Sequence, residues 1–249
     1  MSKINEKRMI DDIRLLSLDM IHNVNSGHPG IALSAAPIMY SLFANHMVYD
    51  FDNPTWCNRD RFVLSAGHAS ALLYATEYAI TEDFTMEELK KFRHINSPAK
   101  GHPELNVERR IEATTGALGQ GFATAVGMAI AEKHLESKYN TKKITLFNYN
   151  IYTLCSDGDL MEGISYEAAA LAGTYKLNNL IVLYDANRMT LDGPLDKDYN
   201  DRLADMYVAL GWNVLIVKNG EKLSEIDKAL NEANKSKLPT LIIVNTILG

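Results

Sequence analysis

Two polar segments that follow apolar runs carry oxygen ligands at a spacing that suits a metal-bound phosphate group. The run Ile151 to Cys155 predicts a strand, and Ser156-Asp157-Gly158-Asp159 follows it. Asn187 lies thirty residues after Asp157, just past the apolar run Leu180 to Tyr184. A carboxylate and an amide oxygen are ligands that Mg²⁺ accepts, and glycine allows a ligand to approach the backbone. We expect a helix to begin near Met161, where free N–H groups favour an anion.

The alternative is that both segments are ordinary turns. Asp-Gly is a common turn dipeptide, so Asp157-Gly158 alone is weak support for a ligand site. Both segments, however, follow predicted strands and have a predicted helix between them, as in a βαβ unit. Because the carboxyl ends of parallel strands form ligand sites, this context favours the metal interpretation.

Three histidines lie in short segments that contain glycine or proline. They are His28 in Ser-Gly-His-Pro-Gly, His68 in Ser-Ala-Gly-His, and His102 in Gly-His-Pro-Glu. A loop histidine taken singly is more often a solvated or capping residue. Three of seven histidines in such settings indicate a shared role. Imidazole exchanges protons near neutral pH and can hydrogen-bond sugar oxygens, so we predict acid–base chemistry on a hydroxylated substrate.

A long segment without clear periodicity, residues 95–116, precedes a helix rich in alanine and glycine. Loops of this length are usually functional or disordered. The stretch Glu112 to Gly121 reads Glu-Ala-Thr-Thr-Gly-Ala-Leu-Gly-Gln-Gly. It is either a ligand-binding turn or a helix start, in which Thr115 is the cap and the glycines permit close helix packing. The two interpretations are compatible, since small residues would also let two helices meet across a dimer.

The elements that must position these residues alternate along the chain. Predicted helices cover residues 4–24, 32–45, 69–80, 85–92, 118–135, 161–173, 199–210 and 223–235, and predicted strands cover 61–65, 150–155, 179–184, 213–217 and 240–246. Thr85 and Glu88 have the spacing of a capping box. Strands that alternate with helices predict an α/β fold with a mostly parallel sheet and helices on both faces.

Composition excludes several classes of protein. The 249 residues are 47% hydrophobic and 22% charged, with a net charge of −6, which is typical of a globular protein and argues against non-specific nucleic-acid binding. The two cysteines, Cys57 and Cys155, form no metal-binding or disulfide pattern. No signal peptide or membrane-spanning stretch is evident, so we expect a cytoplasmic protein without membrane or nucleic-acid partners.

The same segments resemble the transketolase family over essentially the whole chain, from His28 to the last strand. Asp157-Gly158 followed by Asn187 is similar to the thiamine-diphosphate motif, and the stretches Asp157 to Gly163 and Leu183 to Asn187 resemble transketolase in particular. Ser156 and Ala117 depart from that pattern, where glycine and proline are usual. The resemblance implies the thiamine-diphosphate-binding fold and transfer of a two-carbon ketol unit from a ketose phosphate to an aldose phosphate.

The resemblance also implies the roles of individual residues. Asp157, Asn187 and the carbonyl of Met189 would bind Mg²⁺, with Ca²⁺ or another divalent ion as the alternative. His28, His68 and His102 would face the substrate. Contacts to thiamine diphosphate would come from seven residues, namely His68, Gly116, Ala117, Leu118, Gly158, Glu162 and Asn187. Asp159 is expected to be solvated or to cap a helix.

Family members carry a second domain that activates the aminopyrimidine ring and grips the sugar phosphate. We therefore expect residues 1–249 to be a single diphosphate- and metal-binding domain, with the pyrimidine-binding and C-terminal domains absent. Such a chain is either a natural split subunit or a piece cut from a longer polypeptide. The local sequence from Ser156 to Gly163 favours the second, because it resembles single-chain members of the family. Its expected partners are sugar phosphates and either a second copy in a homodimer or a separate pyrimidine-domain chain.

Two other functions remain open at this point. The chain could belong to another thiamine-diphosphate enzyme, such as a deoxyxylulose-phosphate synthase or a 2-oxo acid dehydrogenase component. It could also be a module that binds the cofactor or a partner without catalysis. The three histidine segments together favour transketolase over both.

Overall fold

A five-stranded parallel sheet forms the centre of the protein in the computed structural model, which describes residues 3–190, 193–196 and 199–248. The strands are β1 (Arg61–Leu64), β2 (Ile151–Cys155), β3 (Leu180–Ala186), β6 (Asn213–Val217) and β7 (Thr240–Asn245). Their order across the sheet is β1-β2-β3-β7-β6, and every neighbouring pair is parallel. A short antiparallel pair, β4 (Met189–Thr190) and β5 (Gly193–Pro194), lies outside this sheet.

Ten α-helices occur among the described residues. They are α1 (Lys3–Val24), α2 (Pro29–Ser34), α3 (Ala36–Ser41), α4 (Ser70–Thr76), α5 (Met86–Leu89), α6 (Gln120–Tyr139), α7 (Asp157–Met161), α8 (Gly163–Tyr175), α9 (Tyr199–Ala209) and α10 (Leu223–Ala233). Single π-helical turns extend α3 over Leu42–His46 and α4 over Glu77–Thr81. Within this described part, no helix combines the length and the apolar character needed to span a membrane.

Both faces of the sheet are buried, as alternate side chains of one strand show. In β3, Ile181 and Leu183 pack into one apolar cluster with α1 to α4 and α10. Val182 and Tyr184 pack into a second cluster with α6, α8 and α9. A parallel strand covered on both sides needs apolar residues throughout, which explains the continuous hydrophobic run. The predicted α/β class, with a parallel sheet and helices on both faces, is therefore confirmed.

Two predicted helices differ from the structure in their bounds and continuity. The helix predicted over 32–45 is divided into α2, α3 and a π-helical turn, with Pro37 in the first turn of α3. The helix expected near Met161 begins earlier, because Ser156 caps the short α7 and Asp157 is already in its first turn. Glu162 then separates α7 from α8. The capping box at Thr85 and Glu88 is confirmed.

The long segment over 95–116 is mostly irregular, as predicted. It contains a 3₁₀ turn at Val107–Arg109 and an isolated bridge between Asn106 and Ile111. Arg109 pairs with Glu88 at 2.7 Å, and Arg110 pairs with Asp83. These ion pairs attach the segment to the region around α5. The path of the segment therefore depends on acidic residues that are not part of it.

Candidate active site

The carboxyl ends of β1, β2 and β3 gather the predicted metal and phosphate residues at one edge of the sheet. Cys155 pairs with Tyr184 across β2 and β3, and Leu64 pairs with Leu154 across β1 and β2. Asp157 and Asn187 therefore emerge from adjacent strands, as the sequence predicted. This is the edge at which parallel α/β sheets bind ligands.

Asp157 is buried at the start of α7, with a side chain only partly satisfied. The residue is 1% exposed. Its Oδ1 accepts a hydrogen bond from the Tyr184 hydroxyl, whereas Oδ2 is buried without a hydrogen-bond partner. Burial raises the pKa of Asp157 to about 7, and the nearby Asp185 carboxylate also raises it. A buried carboxylate oxygen without a donor is where a cation would restore the lost solvation.

Asn187 and Met189 lie beside this carboxylate because two hydrogen bonds fix the turn after β3. Asn187 Nδ2 donates to Asp185 Oδ2 at 2.9 Å, and Asn187 Oδ1 accepts from the Met189 N–H at 3.0 Å. The Met189 N–H also lowers the pKa of Asp157, so the two segments meet. A carbonyl oxygen has a second lone pair, and Asn187 Oδ1 can therefore still accept a metal.

These groups fit a divalent cation that prefers oxygen. The set comprises one carboxylate, one amide oxygen and the Met189 carbonyl. These three oxygens carry a single negative charge and leave coordination positions open, which phosphate oxygens or water would fill. Among the described residues, no three His, Cys, Asp or Glu side chains gather as a metal cluster. Mg²⁺ or Ca²⁺ bound together with a diphosphate therefore fits this site better than a softer metal held by protein side chains alone.

The start of α6 forms a second wall of the site. Gly119 has φ +77°, and a Cβ there would lie 2.8 Å from both Glu162 Cβ and Ser165 Oγ. A Cβ on Gly158 would meet Leu118 Cδ1 at 2.9 Å. Leu118 therefore covers the backbone of the first turn of α7, which is the predicted phosphate position.

Asp159 connects the start of α6 to the segments that follow β1 and β2. The residue is fully buried. Its Oδ1 accepts from Ser65 Oγ at 2.7 Å and from the Gly119 N–H at 2.9 Å, while Oδ2 accepts from the Ser156 N–H and Oγ at 2.8 and 2.7 Å. The expectation that Asp159 caps a helix is confirmed, but the expectation that it is solvated is wrong. One carboxylate can accept this many bonds because each oxygen has two lone pairs.

The three histidine segments converge near the same wall. The His28 and His68 rings meet edge to face, with centroids 5.1 Å apart. Gly67 allows the His68 turn to contact the end of the long segment, because a Cβ at Gly67 would lie 2.8 Å from Gly116 N. His102 lies on the other side of Gly116, where its Cδ2 would be 3.5 Å from an added Cβ. Gly116 is therefore enclosed between the His68 and His102 segments.

All three histidines have a lowered pKa. For His28 and His102 the main cause is burial, followed by the charge of Arg93, and His102 also lowers the pKa of His28. For His68 the main cause is again burial, which outweighs the opposite effect of Asp159. The imidazoles are therefore neutral at pH 7, and each ring can accept a proton through one nitrogen and donate through the other.

The remaining predicted contacts are more peripheral. Ala117 is exposed in the turn before α6, and Glu162 is exposed between α7 and α8. The structure also brings in two residues that the sequence did not single out. Tyr184 donates to Asp157, and the buried Asp185 accepts from Ser34 Oγ at 2.7 Å and from Thr246 as well as from Asn187. Their polar groups at the end of an otherwise apolar strand were the available signal.

Known proteins are similar to this chain in both sequence and fold. The family model described as "Transketolase, thiamine diphosphate binding domain" matches residues 5–249. A transketolase of Staphylococcus epidermidis is 49% identical over 247 residues, which is 98% of this chain and 37% of that protein. A transketolase of Bacillus subtilis is 48% identical over 245 residues, with the same coverage.

Solved structures with a similar fold are also transketolases. The crystal structure of transketolase from Campylobacter jejuni superposes with a TM-score of 0.92 at 43% identity, covering 99% of this chain and 38% of that one. Transketolase from Pichia stipitis in complex with sedoheptulose 7-phosphate gives a TM-score of 0.91 at 39% identity, covering 97% and 36%. The chain thus spans little more than a third of the length of these relatives.

Proposed function

The chain belongs to the transketolase family, within its thiamine diphosphate binding domain, and from that membership we propose that it forms the diphosphate- and metal-binding half of a transketolase. The reaction is transfer of a two-carbon ketol unit from a ketose phosphate to an aldose phosphate. We further propose that the described residues belong to one such domain, and that the protein acts in the cytoplasm as part of the pentose phosphate pathway.

One observation supports the proposal most directly: Oδ2 of Asp157 is buried without a hydrogen-bond partner, next to the turn that carries Met189. Asp157, Asn187 and the Met189 carbonyl would hold Mg²⁺, which in turn would bind the diphosphate. The backbone of Gly158 and the first turn of α7 would contact the phosphate oxygens. Gly116, Ala117 and Leu118 would contact the aminopyrimidine end, with His68 and Glu162 at the margin of the cofactor.

When bound, thiamine diphosphate supplies the carbon nucleophile and the electron sink for cleavage of the ketose. The chain's own contribution is to orient the substrate and to move protons. His28 and His102, which are neutral at pH 7, would accept the proton of the donor hydroxyl or hydrogen-bond the sugar oxygens. They would also return a proton to the aldehyde oxygen of the acceptor.

The site needs a partner that supplies the groups for the pyrimidine ring and the sugar phosphate. The chain spans 37% of the Staphylococcus epidermidis relative, so the remainder of such a protein would come from another polypeptide or from further sequence. A second copy in a homodimer, or a separate pyrimidine-domain chain, would close the cofactor site. Neither nucleic acid nor membrane is proposed as a partner.

Calorimetry with thiamine diphosphate and Mg²⁺ tests the site in the chain assembled with its completing polypeptide. Asp157→Ala and Asn187→Ala should each weaken Mg²⁺-dependent cofactor binding, because each removes an oxygen ligand. Matched controls are Asp201→Ala on α9 and Asn231→Ala on α10, which alter the same side-chain types at exposed positions. Wild-type affinity in both site variants would remove the basis of the assignment.

An assay of the same assembly separates the remaining functions. Two-carbon transfer from a ketose phosphate to an aldose phosphate is expected. Decarboxylation of a 2-oxo acid instead would identify another thiamine-diphosphate enzyme. Cofactor binding without either reaction would identify a binding module, although the convergence of His28, His68 and His102 favours transfer.

A further inference from the structure

A chain of contacts through Arg93 joins the three histidine segments. Arg93 Nη1 donates to Ser26 Oγ at 2.6 Å, two residues before His28. The guanidinium also lies against Gly101, the neighbour of His102, since a Cβ there would be 3.3 Å from Arg93 Nε. The Gly101 carbonyl in turn accepts from Ser70 Oγ at 2.8 Å, two residues after His68.

Arg93 is itself held in an unusual backbone conformation. Its φ is +60°, in the left-handed region that side-chain-bearing residues rarely adopt. The Arg93 N–H donates to the Ala99 carbonyl at 2.8 Å, and the guanidinium lies 5.5 Å from the ring centre of the buried Phe92. Strained backbone persists where surrounding contacts define it, and it is often found at functional sites.

The charge of Arg93 is not matched by a carboxylate. Among the described residues, no ion pair forms between Arg93 and an acidic side chain; its Nη1 donates to the Ser26 hydroxyl, and its Nε is buried without a hydrogen-bond partner. Part of the guanidinium is buried, so its charge is screened less than that of a fully solvated arginine and acts on nearby groups. Its neighbours here are His28 and His102, and its charge lowers the pKa of both.

We propose that Arg93 is a positioning residue that holds the Ser26 and Gly101 segments together, so that His28 and His102 face the same substrate. The inference rests on the proposed function, in which these two histidines meet the sugar oxygens. The guanidinium is suited to this task because its planar fork reaches two segments at once, whereas a lysine ammonium would keep the charge without that geometry.

Histidine titration by NMR, with ring-labelled histidine in the 249-residue chain, tests the proposal without any cofactor. Arg93→Gln should raise the pKa of His28 and His102, whereas Arg93→Lys should leave both low. The other groups that act on these rings are unchanged: His102 on His28, and Asp159, His28 and His102 on His68. The control is Arg109→Gln, which removes a half-buried arginine that pairs with Glu88. Unchanged pKa values of His28 and His102 in Arg93→Gln would overturn the proposal.

Kinetics of the assembled enzyme test the positioning role separately. Arg93→Gln should lower kcat by roughly ten- to a hundredfold, since small displacements of catalytic groups have effects of this size. Ser26→Ala should lower kcat in the same direction but less, which keeps the test valid if Arg93→Gln folds poorly. The loss should be equal with phosphorylated and unphosphorylated ketose donors. A rise confined to KM for the phosphorylated donor would overturn the proposal, because Arg93 would then grip phosphate.

The two arms distinguish this inference from the proposed function. If the wild-type assembly transfers no ketol unit, the proposed function fails, while the NMR titration still reports on the Arg93 contacts. If the wild type is active and Arg93→Gln matches it in both kcat and histidine pKa, only the positioning role fails.

Discussion

At the scale of single residues, the Asp157 carboxylate makes the site costly to maintain without a cation. Its folded pKa of about 7 lies above the ordinary value of 3.8, chiefly because of burial. Between those two pH values the folded chain holds a proton that the unfolded chain has released. The contribution of this group to stability is therefore complete below about pH 4 and is lost as the pH rises through about 7.

Asp157→Asn should accordingly stabilise the metal-free chain, and more so at pH 8 than at pH 5. The shift sets an upper bound of roughly 4 kcal/mol on the gain at pH 8. The amide can still accept from the Tyr184 hydroxyl, so the fold should be retained. Urea unfolding of both chains in chelator at the two pH values measures the difference. An equal effect at both would mean that Asp157 does not titrate in this range.

Asp185 is also a single-residue feature: it fixes the side chain of Asn187, a proposed metal ligand, and is not itself proposed as one. Its carboxylate accepts from Asn187 Nδ2, Ser34 Oγ and Thr246 Oγ1. Ser34→Ala removes a donor on α2 that is 151 residues away in sequence, and it leaves Asn187 unaltered.

We expect Ser34→Ala to weaken Mg²⁺-dependent cofactor binding several-fold, because a buried carboxylate that loses a donor shifts its remaining partners. Calorimetry measures the affinity, and Ser224→Ala, at the amino end of α10, is the matched control. An affinity equal to that of the control would indicate that Asp185 holds Asn187 without help from α2.

At the scale of elements, two glycines in and before α6 differ in whether the structure requires glycine. Gly119 caps α6 in a left-handed conformation and contacts Glu162 and Ser165 closely. Gly127 lies within α6, and a Cβ there would meet nothing within 4 Å. The same substitution should therefore have opposite effects at the two positions.

Gly119→Ala should destabilise the chain by about 1–3 kcal/mol, from backbone strain and crowding. Gly127→Ala should stabilise it by about 0.5–1 kcal/mol, since alanine favours a helix interior. Urea unfolding of the two variants measures both. Similar values for the two would show that the left-handed turn at Gly119 is not required.

The sequence predicted the sheet, and with it the proximity of the proposed metal ligands, because both depend on local signals. Apolar runs define β2 and β3, and the parallel arrangement then places Asp157 beside Asn187. It did not predict the start of α7, since Ser156 gives the same local signal as a turn residue. Nor did it predict the contacts of Asp159 with Ser65 and Gly119, 94 and 40 residues away, because no local pattern records which distant donors a carboxylate meets.

At the scale of the whole molecule, more exposed apolar surface lies on α8 than on α6. Exposed large apolar residues on α8 are Ile164, Tyr166, Leu171 and Tyr175, at 42–64% exposure, whereas α6 exposes Ile130 and Tyr139. The two helices pack against each other, so their outer sides form one surface. Apolar surface of this kind promotes association.

We therefore expect the chain to fold alone, to self-associate, and to show no ketol transfer without its completing half. Leu171→Glu should shift sedimentation towards monomer, whereas Leu15→Glu on α1, at a residue that is 59% exposed, should not. Robust two-carbon transfer by the chain alone, without a partner, would contradict the account of a missing half.

The hydrogen bonds that Asp159 accepts should affect both the association rate and the heat-capacity change of cofactor binding. The Gly119 turn, the end of β1 and the start of α7 are already tied to one carboxylate. A ligand arriving at this wall would not have to order it, so association should be limited by diffusion and metal exchange, not by loop closure. The heat-capacity change on binding should then match the ligand's own buried surface, without the excess that accompanies coupled folding.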